Sequence, residues 1–255
     1  MRFASLGSGS EGNALIVEVG NTRLMLDCGM PVRETERRLA RLGLAPADLA
    51  GVVVTHEHSD HIDGVLPFVR RHNLKAWMTW GSLRAALGDG LPEAEVIVID
   101  SHEVFAVGDI EVHPYPVPHD AREPVQYVFS DGAMRLGVLT DAGASTRHIE
   151  AMLTGCDALV LECNHDGAML ANGPYPTFLK ERIGGPFGHL ANHLAAQILS
   201  AIDCSRLKHL VAAHLSQRNN TPELARAALA AVLGCTHDWI QVADQNEGFT
   251  WRSLA

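Results

Sequence analysis

Thr55-His56-Glu57-His58-Ser59-Asp60-His61-Ile62-Asp63-Gly64 follows the β-branched run Val52-Val53-Val54 and packs three imidazoles and the Asp60 carboxylate between His56 and His61. At an extended strand exit, residues two apart point the same way, so His56 and His58 can share one cation. A turn into the next helix aims Asp60 and His61 at a neighbouring point. Two adjacent cation sites follow. Asp60 alone would read as a helix cap and a single strand-end histidine as solvated surface, but four such residues at this spacing point to metal chemistry.

One loop cannot supply every ligand that a zinc-like ion needs, so the remaining donors are sought at other strand ends. His119 in Val117-Pro118-His119-Asp120, Asp141 in Leu139-Thr140-Asp141-Ala142-Gly143 and His214 in Val211-Ala212-Ala213-His214 stand there. Each alone is a turn residue; joined to the first loop they complete a seven-ligand set for two divalent cations. Asp141 can bridge the pair, and Asp60 with Asp141 would fix a bridged water that becomes a hydroxide nucleophile near neutral pH. Five histidines and two carboxylates suit zinc, and manganese fits a nuclease.

The frame is that of an ordinary globular α/β chain: 255 residues, 47% hydrophobic and 20% charged, expected to form a single domain over 1–255. Collagenous and disordered classes are excluded. Five scattered cysteines without a C-x-x-C pair signal neither disulfide framework nor zinc knuckle, which fits a reducing compartment. Apolar runs fall far short of the roughly 20 residues that span a bilayer, and the glycine- and serine-rich start carries no signal-peptide core. A cytoplasmic protein without membrane contact is expected. A formal charge of −10 argues against broad binding of polyanions, although bound cations would reverse the local sign. The alternation of apolar runs predicts strands at 14–19, 23–27, 52–54, 76–80, 96–100, 110–113, 126–130, 136–140, 158–162, 209–213, 239–242 and 249–252. Helices are predicted at 33–42, 62–72, 146–153, 192–201 and 222–233, the last with Thr221 as cap, Pro222 at its first position and Gly234 past its end. Two sheets covered by helices accommodate this order.

The ligand blocks resemble the metallo-β-lactamase fold hydrolases along essentially the whole chain. The blocks Ser5 to Ser10, Thr55 to Gly64, Glu162-Cys163-Asn164-His165-Asp166, Gly188-His189-Leu190 and Ala213 to Asn220 are similar to the YycJ/WalJ-type branch of that family. The resemblance implies a layered αββα sandwich of two mixed sheets flanked by helices, with both metals at one edge between the sheets. It implies His56, His58 and His119 on one metal, Asp60, His61 and His214 on the other, and Asp141 between them. It further implies a metal-dependent exonuclease acting on DNA from 5′ ends. Ala191 and Cys163 stand where this branch commonly has serine, so no hydroxyl role carries over there.

Other residues are weighed individually. Gly7-Ser8-Gly9-Ser10-Glu11-Gly12 satisfies G-x-G-x-x-G, but a strand rather than a helix follows it, so the dinucleotide reading fails. Ser8 and Ser10 remain candidates to approach a substrate phosphate. Asp27, at a strand end, is by resemblance a hydrogen-bond acceptor supporting the metal histidines. His165 and His189 are candidates to protonate or steady the leaving ribose oxygen, with Glu162 orienting His165 through a turn. Asn192, Asn219 and Asn220 could reach phosphate oxygens, although asparagines in such loops also form turns and caps. Arg33, Arg37, Arg38 and Arg41, like Arg70 and Arg71, form faces that track a DNA backbone if they border the cleft and are otherwise solvated. The expected activity is a binuclear phosphodiesterase on nucleic acid, most simply a 5′-to-3′ DNA exonuclease. Its rivals are a hydrolase of RNA or of a small ester, thioester or lactone, and a metal-stabilised binding protein without turnover.

Overall fold

The computed structural model describes residues 1–254 except 89, 91 and 93. The first half of the chain contributes β1 (Arg2–Gly7), β2 (Ala14–Val19), β3 (Thr22–Leu26), α1 (Val32–Arg41), β4 (Gly51–Val53), α2 (Ser59–Ile62), α3 (Val65–His72), β5 (Lys75–Thr79), α4 (Trp80–Leu87) and β6 (Glu95–Ile99). The second half contributes β7 (Phe105–Val107), β8 (Ile110–Pro116), β9 (Val125–Ser130), β10 (Arg135–Leu139), α5 (Arg147–Leu153), β11 (Ala158–Glu162), α6 (Gly167–Asn172), α7 (Thr177–Ile183), α8 (Asn192–Ala201), β12 (His209–Ala213), α9 (Pro222–Leu233), β13 (Gln241–Val242) and β14 (Phe249–Ser253). Two seven-stranded sheets result, ordered β14-β1-β2-β3-β4-β5-β6 and β13-β12-β11-β10-β9-β8-β7.

The period-two alternation of the strands builds the layers. In β2, Leu15 and Val17 enter the core between the sheets while Ala14 and Ile16 enter the core under α1 and α3. In β11, Ala158 and Val160 face the other sheet while Leu159 and Leu161 face α5, α8 and α9. Helices therefore cover both outer faces, giving the expected αββα sandwich of mixed sheets. β3 and β4 run parallel, as do β10, β11 and β12, so their carboxyl ends meet along one edge.

Several elements differ from their sequence expectation. The helix expected at 62–72 breaks into α2 and α3, because Gly64 donates to Cys28 O at 2.8 Å and lies so close to Met30 that a Cβ would stand 2.0 Å from its carbonyl oxygen. The strand expected at 239–242 shortens to Gln241–Val242 behind a 3-10 turn, His237–Trp239. Arg2–Gly7 forms an inner strand that its small residues conceal. Helices α4, α6 and α7 span eight residues at most, too few for a helical apolar period to show.

Gly29 ties this frame to the ligand loop. A Cβ there would stand 1.8 Å from Asp60 O, so only glycine lets the turn after β3 lie against the Asp60 backbone. Gly29→Ala is expected to cost about 1–3 kcal/mol through forced displacement of that loop, a drop in Tm of roughly 2–12 °C. An unchanged thermal transition would show that the contact is slack.

Candidate metal centre and active site

The seven expected ligands converge on the shared edge. His56, His58, Asp60 and His61 follow β4, His119 follows β8, Asp141 follows β10 and His214 follows β12. Four non-glycine residues among those described have positive φ, and three of them, Asp27 at 60°, Asp141 at 51° and His214 at 53°, end strands at this edge. Left-handed backbone costs such residues about 1–2 kcal/mol each. Here it turns the chain sharply so that the side chains enter the seam between the sheets.

Four of the five imidazoles, all but His58, are pinned by one nitrogen. His61 Nδ1 donates to Asp27 Oδ2 at 2.8 Å, and Thr55 donates to the same carboxylate through its amide at 2.8 Å and its hydroxyl at 2.9 Å. The Thr55 hydroxyl in turn accepts from His56 Nδ1 at 2.9 Å. His119 Nδ1 donates to Gly188 O at 3.0 Å, and His214 Nδ1 to Glu162 Oε1 at 3.2 Å. Fixing the far nitrogen sets the orientation of the near one, the usual support of a metal-binding imidazole. Asp27 thus occupies its expected place.

The near atoms fit cations. The donors of His56, His58 and His119 lie within 4.8 Å of one another, as do those of Asp60, His61 and His214, and Asp141 groups with His56 and His61. His56 Nε2 and Asp141 Oδ2 are buried without a hydrogen-bond partner, although Asp141 Oδ2 comes within 3.0 Å of His61 Nε2. His119 Nε2 and His58 Nδ1 face each other at 3.1 Å. Orphaned buried acceptors are rare where nothing binds them. The donor set is compatible with divalent cations.

The electrostatics divide the cluster. Burial lowers His56, and the charge of neighbouring His61 lowers it further; burial also lowers His119. These rings stay neutral, with lone pairs available. Burial opposes charge on His61 and His214 as well, but Asp141 and Asp60 outweigh it, raising His61 well above its ordinary range and His214 to about 9. Asp60 and Asp141 are held well below the carboxylate range because these histidines overcome their burial.

Glu162 was expected to orient His165, and the structure corrects this. Glu162 is fully buried; its Oε1 accepts from His189 Nδ1 at 2.9 Å and from His214, while Oε2 accepts from the amides of Ala142 at 3.0 Å and Leu190 at 3.1 Å. Burial pushes this carboxyl up, but His189 and His214 bring it down to about 2, and with Asp141 it raises His189 well above the usual imidazole range. His165 is only 3% exposed, with Nδ1 unpartnered, and is not part of the cleft wall. The strand-to-turn geometry at Glu162 carries the carboxylate towards β10 and β12, away from His165.

The candidates for phosphate contact divide as well. Ser10 lines the cleft, whereas Ser8 Oγ accepts from the His214 amide at 2.9 Å and holds a ligand rather than facing substrate. Asn192 and Asn220 exchange amide hydrogen bonds at 2.9 and 2.8 Å, and Asn220 also donates to Cys163 O at 2.7 Å, so both are engaged within the fold. Asn219 is buried, with Nδ2 against Ser216 Oγ at 3.4 Å. Of the arginines, Arg38 and Arg41 bind the carbonyl of Leu6, outside the cleft wall. Sequence reasoning missed Asn13, whose Nδ2 lies 3.2 Å from Asp60 Oδ2 and 3.1 Å from His61 Nε2, and Thr55. It also missed a wall of Tyr175, Leu179, Arg182 and Ile183 around a cleft of about 350 Å³. Thr55 stood inside the quoted motif; Asn13 and the wall carry no spacing signal.

The fold and the donor set define a metal-dependent hydrolase of the metallo-β-lactamase fold. The chain belongs to the β-lactamase superfamily, whose domain it matches over residues 22–215. It is 36% identical over 236 residues to exodeoxyribonuclease YycJ of Bacillus anthracis, covering 91% of this chain and 89% of that protein. It is 30% identical to exodeoxyribonuclease WalJ of Streptococcus pneumoniae, covering 89% and 86%. The crystal structure of the metallo-β-lactamase fold protein YhfI from Bacillus subtilis superposes with a TM-score of 0.75 over 98% of both chains at 16% identity, a likeness of fold. Among the described residues no helix is long and apolar enough to cross a membrane.

Cation binding here must displace protons from His61 and His214. The ordinary histidine value is 6.5 and that of His214 about 9, so its ion pairs stabilise the cation-free protein fully below pH 6.5 and lose that effect as pH rises through about 9. Zinc titrated calorimetrically into stripped protein, in buffers of differing protonation enthalpy, should release about two protons near neutral pH, and affinity should fall between about pH 8 and about pH 6. Affinity independent of pH would overturn this charge assignment.

Proposed function

We propose that this hydrolase is a binuclear phosphodiesterase that removes nucleotides from the 5′ end of DNA. The observation that carries the reading is the Glu162–His189 pair beside the ligand cluster. A protonated imidazole at this point can hand its proton to a departing alkoxide, and the 3′ oxygen of a deoxyribose is such a leaving group. The names of the YycJ and WalJ relatives support DNA and exonucleolytic attack. Attack from the 5′ end rests on the resemblance in the ligand and histidine blocks.

In this reading His56, His58 and His119 hold one divalent cation, zinc or manganese, Asp60, His61 and His214 the other, and Asp141 stands between. When bound, the cations supply Lewis acidity at phosphorus and a nucleophilic water at neutral pH. Glu162 accepts a hydrogen bond from His189 Nδ1, which fixes the ring and leaves Nε2, on a side chain that lines the cleft, to carry a second proton. The raised pKa of His189 keeps that proton in place until the leaving oxygen takes it. Asp27, through His61 and Thr55, keeps the ligand loop in register. Ser10 and Ser59, which also line the cleft, offer hydroxyls to the non-bridging phosphate oxygens.

The test is a time course on matched 5′- and 3′-labelled double-stranded DNA with zinc or manganese, alongside RNA. Mononucleotide release from the 5′ end of DNA is expected, abolished in a folded Asp60→Ala variant and slowed about 10²- to 10⁴-fold in His189→Gln. Activity retained by Asp60→Ala would overturn the ligand assignment. Turnover of RNA alone would make the protein a ribonuclease, and turnover of neither would move the reading to small esters, thioesters or lactones.

A further inference from the structure

The α6–α7 segment between β11 and α8 forms the wall of the cleft that faces the ligand cluster, through Tyr175, Leu179, Arg182 and Ile183. We propose that this segment reads an unpaired terminal nucleotide, its base stacked on Tyr175 and a neighbouring phosphate held by Arg182. The proposal rests on the nucleic-acid reading above.

Three observations carry it. First, among the described residues that line the cleft, Arg182 is the sole lysine or arginine, in a protein of net charge −10. Its Nε is spent on Asp120 Oδ2 at 2.7 Å, which orients the guanidinium, and its side chain remains well exposed. An arginine anchored through Nε presents its terminal N–H groups as a fork, the geometry that suits a phosphate. Asp120 also lies 3.8 Å from His58 Nε2, so the fork stands one side chain away from the ligand cluster.

Second, the backbone at Tyr175 is restricted. It sits between Pro174 and Pro176, whose rings fix their own φ and hold the preceding residue extended, and the Arg218 guanidinium lies 6.0 Å from its ring centroid. A backbone restricted before binding loses less entropy when a base stacks on the ring it carries. Third, the same segment leaves Phe178 71% and Phe187 59% exposed, more than any other large hydrophobic side chain described. Core packing explains neither, and stacked bases in a single strand supply the partner such faces lack. Neither phenylalanine lines the cleft, where Tyr175 is the sole Phe, Tyr or Trp among the described residues, so stacking beside the ligand cluster is restricted to the end of a strand rather than a long groove.

The test uses metal-loaded protein and a single-stranded oligonucleotide with the fluorescent base aminopurine at its 5′ terminus, phosphorothioate-linked for binding and natural for turnover. In the wild type the terminal fluorophore should be quenched on binding. Tyr175→Ala should abolish the quenching and raise KM on the order of tenfold, while Tyr175→Phe retains both. Arg182→Gln should raise KM and flatten the slope of log affinity against log salt by about 0.7. Turnover of methyl para-nitrophenyl phosphate, which reaches only the metal centre, should stay within about twofold in all three variants. Unchanged KM and quenching in Tyr175→Ala and Arg182→Gln, with the wild type still degrading the oligonucleotide, would overturn the proposal and leave the nuclease reading intact. Equal loss of small-ester turnover would assign the two residues a merely structural role and likewise overturn it. A wild type that releases nucleotides from the 5′ end of double-stranded DNA but neither binds nor cleaves the oligonucleotide would overturn this proposal alone, and one that hydrolyses the small ester but neither DNA would overturn both readings.

Discussion

Two carboxylates buried among imidazoles, Asp141 and Glu162, impose the condition that the rest of the protein satisfies. An ionised carboxylate out of water is costly unless charge and hydrogen bonds compensate it. Here compensation comes from His61, His189 and His214 on one side and from the amides of Ala142 and Leu190 on the other. Without a divalent cation, protons on those histidines carry the positive charge. The same donors thus serve as a network of ion pairs or as a ligand set, according to what supplies the positive charge.

Such a cluster is useful only if its members cannot relax away from one another. Strand ends in left-handed conformation and a glycine pressed on Asp60 are local expenses that the surrounding sandwich sustains, because both sheets are packed on their two faces. The Asp27–Thr55–His56/His61 chain of hydrogen bonds joins β3 to the loop after β4, so displacement of either disturbs two imidazoles together. The two halves of the molecule meet at this edge, with Asp27 and the first histidine loop from one sheet and Asp141, Glu162 and His214 from the other.

The opposite side of the cleft is built on different terms. The α6–α7 segment consists of short helices and proline- and glycine-rich turns, with rings and an arginine turned outward rather than into a core. The clustered donors sit on strand ends packed into the core, and the facing wall of the cleft sits on short helices and turns, where change leaves the core untouched.

The ligand motif was legible because the spacing of His56, His58, Asp60 and His61 is covalent: two residues along a strand, then a turn, bring four donors together before any distant part of the chain is placed. Strand-end position likewise marked His119, Asp141 and His214, and the resemblance ordered the seven into two sets. Two sheets covered by helices followed from the order of strand and helix runs along the chain, and the αββα layering from the resemblance. What only the tertiary structure decided is pairing across the sheet. Glu162 orients His189 and His214 rather than His165 because β11 lies between β10 and β12, an order that no local spacing encodes. Asn192 and Asn220 bond to each other rather than to phosphate, and Asn13 joins the cluster, for the same reason: a side-chain amide finds its partner from whichever segment folding brings within about 3 Å. Sequence chose the chemical groups, and strand order chose which of them touch.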